Sequence, residues 1–405
     1  MIPLVITALL FTLASTMPLP QLAERLLNAS NEYKHNHIWL RGLDIINSKP
    51  FFPTYDVFTS RDLRDNIACF RIPSLVNNNN SLLALTEARL YNCSDCSQKG
   101  IVSKKSLDGG LTWSHWNWVV PPTQTAANPT TIYDTYNNKI ILHYATGKTN
   151  GDCIPSRDNW QLETHDFGDT WSTPYNISHF LKQYRGLLPG PGNGIQIAKS
   201  AKSGKSARLV FPGHYGTAER SYGKVISYYS DDFGKEWKIS ENGLEGQDES
   251  TLSVIDNGTL IMNMRNGHNN NTCQCRTISK SYDDGETWSE IEYEPELKDP
   301  ICQGTSTNIE DTYFFVNPNM YYARSNLTIH YKKRWKDAWN VLRLADEFIY
   351  TGYTGLTNQV IEIKGEKYIG IIWTACKLSV PFRVWCSLDD KWELVYSLLP
   401  MNKFK

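Results

Sequence analysis

The chain has 405 residues, 40% hydrophobic and 12% aromatic, so it can bury a large core as one repeat domain or two ordinary ones. Forty-one Lys and Arg offset 42 Asp and Glu, and neither sign forms a long run. The basic face that nucleic acid recognition requires is missing, which excludes nucleic acid as the main partner.

The first element is the apolar stretch "MIPLVITALLFTLASTMPLP", too short to span a bilayer comfortably and followed by small residues at Ala14, Ser15 and Thr16. Residues 1–20 read as a signal peptide, although no Lys or Arg precedes the apolar run. Sequons at Asn28, Asn79, Asn92, Asn176, Asn257, Asn270 and Asn326 agree with a secretory route. The nine cysteines agree as well, and their odd number leaves at least one without a partner in the chain. Cys93-Ser-Asp-Cys96 lacks the second ligand pair that zinc wants, so a disulfide framework fits better. Cys273 with Cys275, and Cys376 with Cys386, are placed to staple loops or hairpins, but spacing does not decide the connectivity. Residues 21–55 read as an approach segment with a leading strand or helix, and residues 56–405 as one repeat domain.

Within that domain the octapeptide "SLDGGLTW" at Ser106 returns as "THDFGDTW" at Thr164, "SDDFGKEW" at Ser230 and "SYDDGETW" at Ser281. Between the copies lie short runs such as "KIILHYATG", "ARLVFPGHYG", "KVISYYS" and "TLIMNMRN", bounded by Gly, Asn, Asp and Pro, which read as strands joined by turns. A spacing of roughly sixty residues holds one four-stranded antiparallel sheet with its loops, and roughly six such units use up the domain. The expected fold is all-β, a six-bladed β-propeller of four-stranded sheets. Inside the octapeptide, Asp and Gly suit a tight turn and Trp packs back onto the sheet. It is a folding element, and none of its four Asp residues is a catalytic candidate. The segment "YKKRWKDAW" at 331–339 occupies a fifth such position without the Asp and Gly. The glycines of "LLPGPGNGI" have dinucleotide-like spacing, but the prolines suit a shaped loop rather than a nucleotide site.

The octapeptides, with "CFRIPSL", "LTEARL", "GPGNGIQ", "DES" followed by "NMRN", "ARSNLT" and "GYTGL" in that order, resemble the sialidase superfamily with its Asp-box repeats over about residues 65 to 375. The leader, "FPGHYGTAER" and the C-x-C of "CQCRTISKSYDDGETW" are most similar to the lysosomal sialidases of animals. The resemblance implies an exo-α-sialidase in which Arg71, Arg265 and Arg324 hold the substrate carboxylate, with Arg89 and Asn128 near the sugar. It also implies Tyr353 as nucleophile, Glu249 as its base and Asp95 as acid.

These residue types make chemical sense for that role. Three guanidinium groups can hold both oxygens of a carboxylate and stay charged. A neutral phenol approaches an anomeric carbon beside a carboxylate without the repulsion an Asp or Glu would meet, and sialidases are the glycosidase exception with a Tyr nucleophile. The phenol then needs a base. Singly, each of these residues also fits a packed tyrosine or a solvated charge.

The expected activity is retaining hydrolysis of terminal sialic acids from glycoproteins, oligosaccharides or glycolipids such as gangliosides, with no metal and no cofactor. The resemblance further implies a lysosomal or secreted protein and a lysosomal carboxypeptidase as partner. One departure stands out: Thr374, in "IIWTAC", occupies the place where many sialidases carry a glutamate that braces the first arginine; Glu87 is placed either to brace Arg71 instead or to bridge to Arg89, and without a brace on Arg71 substrate affinity would be weak. The competing reading is a non-catalytic Asp-box propeller that binds glycans or proteins.

Overall fold

The computed structural model describes residues 50–123, 125–147, 158–184, 186–198, 207–217, 220–255, 258–267, 273–345, 349–377 and 391–404. The expected signal peptide, most of the approach segment, the sequons at Asn28, Asn257 and Asn270, and Cys153 and Cys386 lie outside the described residues.

Strands dominate the described chain, with short 3-10 turns at Ser60–Asp62, Lys182–Tyr184 and Met401–Phe404, in a β-propeller arrangement of sheets met in chain order. Ile67–Asn78, Ser81–Leu90, Lys99–Ser106 and Asn117–Val120 form the first. Thr125–Asp134, Lys139–Gly147, Asp158–Thr164 and Tyr175–Asn176 form the second, with Gly192–Asn193 added in parallel on its inner edge. A nine-stranded sheet follows. In it Arg208–Thr217 and Arg220–Ser230 join Leu244–Val254, Leu260–Asn266, Cys275–Ser281 and Glu292–Lys298 through pairing of Gly223–Val225 with the start of Leu244–Val254. Thr305–Ile309, Thr312–Pro318, Leu327–Lys332 and Asn340–Arg343 make the next sheet. The last combines Thr351–Leu356, Glu366–Lys377 and Lys391–Pro400 with Thr54–Phe58, so that Thr54 lies opposite Ser397. The beginning of the described chain is thereby paired to its end.

Sheets packed face to face bury both faces of each inner strand, which is why these strands read as apolar runs rather than strict alternation. Most core clusters are shared by two neighbouring sheets, as where Val76, Leu83 and Leu85 pack with Ile140, Leu142 and Leu162. At the axis the contacts turn polar. Ser74 Oγ lies 2.7 Å from Thr131 Oγ1 and donates to the Gly192 carbonyl, while Thr305 Oγ1 donates to the Thr354 carbonyl at 2.6 Å.

The four octapeptides build one turn four times. Gly110, Gly168, Gly234 and Gly285 have φ of 93°, 90°, 92° and 89°, and their amides donate to Ser106, Thr164, Ser230 and Ser281 at 2.8–2.9 Å. A Cβ on Gly110 would come within 2.1 Å of the Tyr396 ring, so glycine is required by space as well as by φ. Asp108, Asp166 and Asp283 each accept from the amide and hydroxyl of the threonine four residues on. At the fifth position the turn is closed instead by Arg334 and Asp337, the Asp337 amide donating to the Arg334 carbonyl at 3.0 Å, and Lys332 Nζ lies 4.1 Å from the Trp335 ring centroid and 4.0 Å from that of Trp339.

Candidate active site

Four inner strands carry a β-bulge, while Thr305–Ile309, which lies between two of them in chain order, pairs without a register shift. Two residues oppose one at Ile72–Pro73, Asn128–Pro129, Asp248–Glu249 and Gly352–Tyr353, where the ladder register shifts. A bulge bends its strand and re-aims the side chains beside it, and bulges concentrate next to active sites. Ile72 and Asn128 take φ of 64° and 55° there. Asn tolerates that region, whereas a β-branched residue in it is strained.

Tyr353 stands at the centre of the residues so placed. Its hydroxyl donates to Glu249 Oε1 at 2.5 Å, and Glu249 Oε2 accepts from Arg265 Nη1 at 2.7 Å. The Arg71 and Arg324 guanidinium carbons lie 5.6 and 6.0 Å from the Tyr353 ring centroid. The structure therefore brings the three expected carboxylate-binding arginines to one tyrosine. Arg324 Nη2 donates to the Ile301 carbonyl, and buried Arg71 has no hydrogen-bond partner for Nε among the described residues. Burial pushes the Tyr353 hydroxyl well above its ordinary pKa, and Glu249 adds to that against the three arginines. Burial together with Arg89 lowers Arg71. A carboxylate placed among these arginines would relieve both the repulsion and the unpartnered N–H.

A second cluster lies along the first sheet. Glu87, fully buried, accepts from Arg89 Nε at 2.9 Å, pairs with Lys99 Nζ at 3.2 Å and accepts the Asn128 amide at 3.0 Å. Burial would raise the Glu87 carboxyl, but Lys99 and Arg89 outweigh it and hold it below the usual range. Arg89 Nη1 reaches on to Asp95 Oδ1 at 2.6 Å, and Arg71 Nη1 lies 3.6 Å from the same oxygen. The Asp95 side chain is 75% exposed, on the loop that Cys69–Cys93 ties to the strand carrying Arg71. Burial of its surroundings would raise Asp95, but Arg89, Arg71 and Lys99 reverse this and hold the carboxyl well below the ordinary range.

Glu87 therefore bridges to Arg89, one of the two pairings open from the sequence, and does not brace Arg71. Thr374 donates to the Tyr353 carbonyl at 3.1 Å, so it supports the bulge under the tyrosine. Cys93 is bonded to Cys69 and is not half of a metal pair; Cys273 is bonded to Cys275. No cluster of metal-ligating side chains occurs among the described residues.

Tyr353, Glu249, Arg265, Arg89, Asp95 and Asn128 share the wall of a pocket of about 320 Å³. Arg71 and Arg324 lie against the tyrosine rather than in that wall. A larger cavity of about 1040 Å³ is lined by residues further along the same strands, including Thr131, Leu252 and Ser306, and holds none of this cluster. Chemistry, not size, identifies the site. Lys99, Asp248 and His214 also line the smaller pocket, and sequence reasoning did not select them. Adjacency to Glu249 was the only available signal for Asp248.

Bulged inner strands that gather arginines, a tyrosine and carboxylates around one pocket define the class. Residues 100–397 match the BNR repeat-like domain family, and the chain belongs to it. The curated proteins similar to it include sialidases: one of Bacteroides fragilis is 29% identical over 299 residues, covering 65% of this chain and 53% of that protein. One of Paraclostridium sordellii is 26% identical over 312 residues, covering 68% and 73%. The chain thus spans about half the length of the Bacteroides relative. Among solved structures, the Hadza microbial sialidase Hz136 superposes with a TM-score of 0.69 at 23% identity, over 86% of this chain and 69% of that one. A leech intramolecular trans-sialidase does so with a TM-score of 0.68 at 17% identity, over 87% and 70%. These two likenesses concern the fold.

Proposed function

We propose that the protein is a retaining exo-α-sialidase acting on terminal sialic acids of glycoproteins, oligosaccharides and gangliosides. The observation that carries this reading is the buried Tyr353–Glu249 hydrogen bond with Arg265 on its far side and Arg71 and Arg324 against the ring. A binding propeller gains nothing from burying a tyrosine beside a carboxylate, whereas a phenol nucleophile needs a base within hydrogen-bond reach.

In this mechanism the substrate carboxylate docks among Arg71, Arg265 and Arg324. Tyr353 Oη attacks the anomeric carbon as its proton passes to Glu249. The bond to the aglycone oxygen breaks, and that oxygen takes a proton from Asp95. A water then gives a proton to Asp95 while its oxygen displaces Tyr353, which recovers its own proton from Glu249. Two displacements restore the starting configuration.

The reading includes a six-bladed propeller, the nine-stranded sheet being taken as two blades joined edge to edge, with the four octapeptides as its Asp boxes. It also includes entry into the endomembrane system, supported by the leader, the sequons and disulfides suited to an oxidising compartment. A lysosomal setting with a carboxypeptidase partner is part of the same reading and rests only on the resemblance of the leader, "FPGHYGTAER" and the C-x-C stretch. The test is incubation of the purified protein with a fluorogenic α-sialoside between pH 4 and 7: sialoside-dependent turnover is expected, and its absence across the range, from folded protein, would leave the binding propeller as the reading.

A further inference from the structure

Consecutive residues of a regular strand point to opposite faces, yet Asp248 and Glu249 both reach Arg265. The bulge explains it. Gln247 pairs with Asn266 and Ser250 with Met264, so Asp248 and Glu249 together oppose Arg265 alone. Glu249 Oε2 accepts from Nη1 at 2.7 Å, and Asp248 Oδ2 lies 3.4 Å from Nε, an ion-pair contact without hydrogen-bond alignment. The other oxygen of Asp248 lies 3.4 Å from Nε2 of His214, which the strand Arg208–Thr217 brings in opposite Leu188 and Val225. The charged and titratable groups facing Asp248 are therefore Arg265, His214 and its neighbour Glu249.

We propose that Asp248, anchored by His214, is a positioning residue that keeps Arg265 in place while Glu249 changes charge. The proposal rests on the sialidase reading of the site. In the resting protein Arg265 is shared between two carboxylates. When Glu249 takes the Tyr353 proton it becomes neutral and its pull on Arg265 weakens, at the moment when Arg265 must hold the substrate carboxylate beside the reacting carbon. Asp248 is not on the proton path, so that step leaves its contact with Arg265 unchanged. A single carboxylate would tie the position of Arg265 to the protonation of the base, and the bulge removes that tie by presenting two.

The test compares an α-sialoside with its methyl ester for the wild type, Asp248→Asn and Asp248→Glu, with thermal melting in parallel. Wild type should prefer the free acid by about 100-fold in kcat/KM. Asp248→Asn, isosteric and compatible with the bulge, should lose roughly 10- to 100-fold on the acid and less than about 3-fold on the ester, and Asp248→Glu should recover part of the loss. A purely structural role would lower both substrates together. If wild type discriminates and Asp248→Asn keeps the same acid-to-ester ratio, the positioning role is wrong while the sialidase reading stands. If wild type turns over acid and ester equally, the arginine clamp itself is wrong. Should Asp248→Asn fail to fold, His214→Gln, which leaves the bulged strand untouched, is measured in the same way: an acid-specific loss supports the proposal and an unchanged ratio overturns it.

Discussion

Glu87 and Arg89 lie two residues apart on one strand and face the same way, joined by contacts of 2.9 Å from Nε and 2.8 Å from Nη2 to Glu87 Oε2. Neither is exposed by more than 1%. Two buried charges are costly unless paired, and here Lys99 and the Asn128 amide complete the set around one carboxylate. The pair carries outward as well: Arg89 holds Asp95, and Glu87 holds the bulge at Asn128. The buried ion cluster is thus the frame on which the acid side of the site is hung.

The first prediction follows from that frame. Glu87→Gln leaves buried Lys99 without its carboxylate and Arg89 with only the largely exposed Asp95, at a cost of about 3–5 kcal/mol. Urea denaturation at pH 7 should show it. Because the folded-state carboxyl is held below its unfolded value, its stabilisation is complete above the unfolded pKa and disappears as pH falls through the lowered folded value. The gap between wild type and variant should therefore be full at neutral pH and narrow below about pH 4. A gap that widens on acidification would contradict the assignment.

The second concerns Asp95, which Arg89 and Arg71 hold as a carboxylate although its proposed role requires a proton. A substrate carboxylate docked at Arg71 brings a negative charge close to Asp95 and offsets the arginine, so the complex should protonate Asp95 at higher pH than the free protein. The alkaline limb of kcat should accordingly lie at higher pH than that of kcat/KM. With an activated aryl leaving group, which departs with little protonation, both limbs should flatten. Coincident limbs on a natural oligosaccharide would show that the substrate does not reset Asp95.

Much of this was legible in the sequence, and the reasons differ from part to part. The octapeptide announced its turn because Ser, Asp, Gly and Thr at fixed offsets satisfy one another locally, as at Ser106, Asp108, Gly110 and Thr112. Arg71, Arg265, Glu249 and Tyr353 were found because their motifs keep order along the chain. The bulges were not legible. They depend on which residue of a neighbouring strand is left unopposed, and that is settled by pairing across the sheet. For the same reason nothing in the sequence singled out Asp248 or Lys99, whose roles come from the strands they face. The sequence left the partner of Glu87 open between Arg71 and Arg89, and the structure decides it: strand pairing sets Glu87 opposite Arg71, while its carboxylate turns to Arg89 and Lys99.

The third prediction tests the carboxylate clamp at its most exposed member. Arg324 donates to the Ile301 carbonyl through Nη2, which leaves the rest of its fork for an anion. Arg324→Lys keeps one positive charge but loses the planar fork, so kcat/KM should fall by about 2–4 kcal/mol of transition-state binding with little change in melting temperature. Chloride competition offers a second readout: added salt should weaken the wild type more than the variant. A variant with unimpaired kcat/KM would remove Arg324 from the clamp.

The last prediction concerns Tyr353, where the geometry makes a stereochemical claim. Its hydroxyl is buried, bonded to Glu249 and surrounded by Arg71, Arg265 and Arg324, so a proton leaving Oη has one short route, to Glu249 Oε1. The arginines would stabilise the phenolate character that develops as Oη attacks. If the resulting sialyl–tyrosine bond is then displaced by water from the opposite face, the first sugar released from an α-sialoside is the α-anomer, whereas direct attack by water would release the β-anomer. Tyr353→Phe removes one oxygen and leaves the Thr374 bond to its backbone carbonyl intact, so the fold should survive while kcat falls by about 10³-fold or more. Proton NMR in the first minutes of hydrolysis, before mutarotation mixes the anomers, reads the outcome directly. The β-anomer appearing first from wild type would rule out the double displacement, and a Tyr353→Phe variant with full turnover would rule out Tyr353 as nucleophile while leaving the arginine clamp standing.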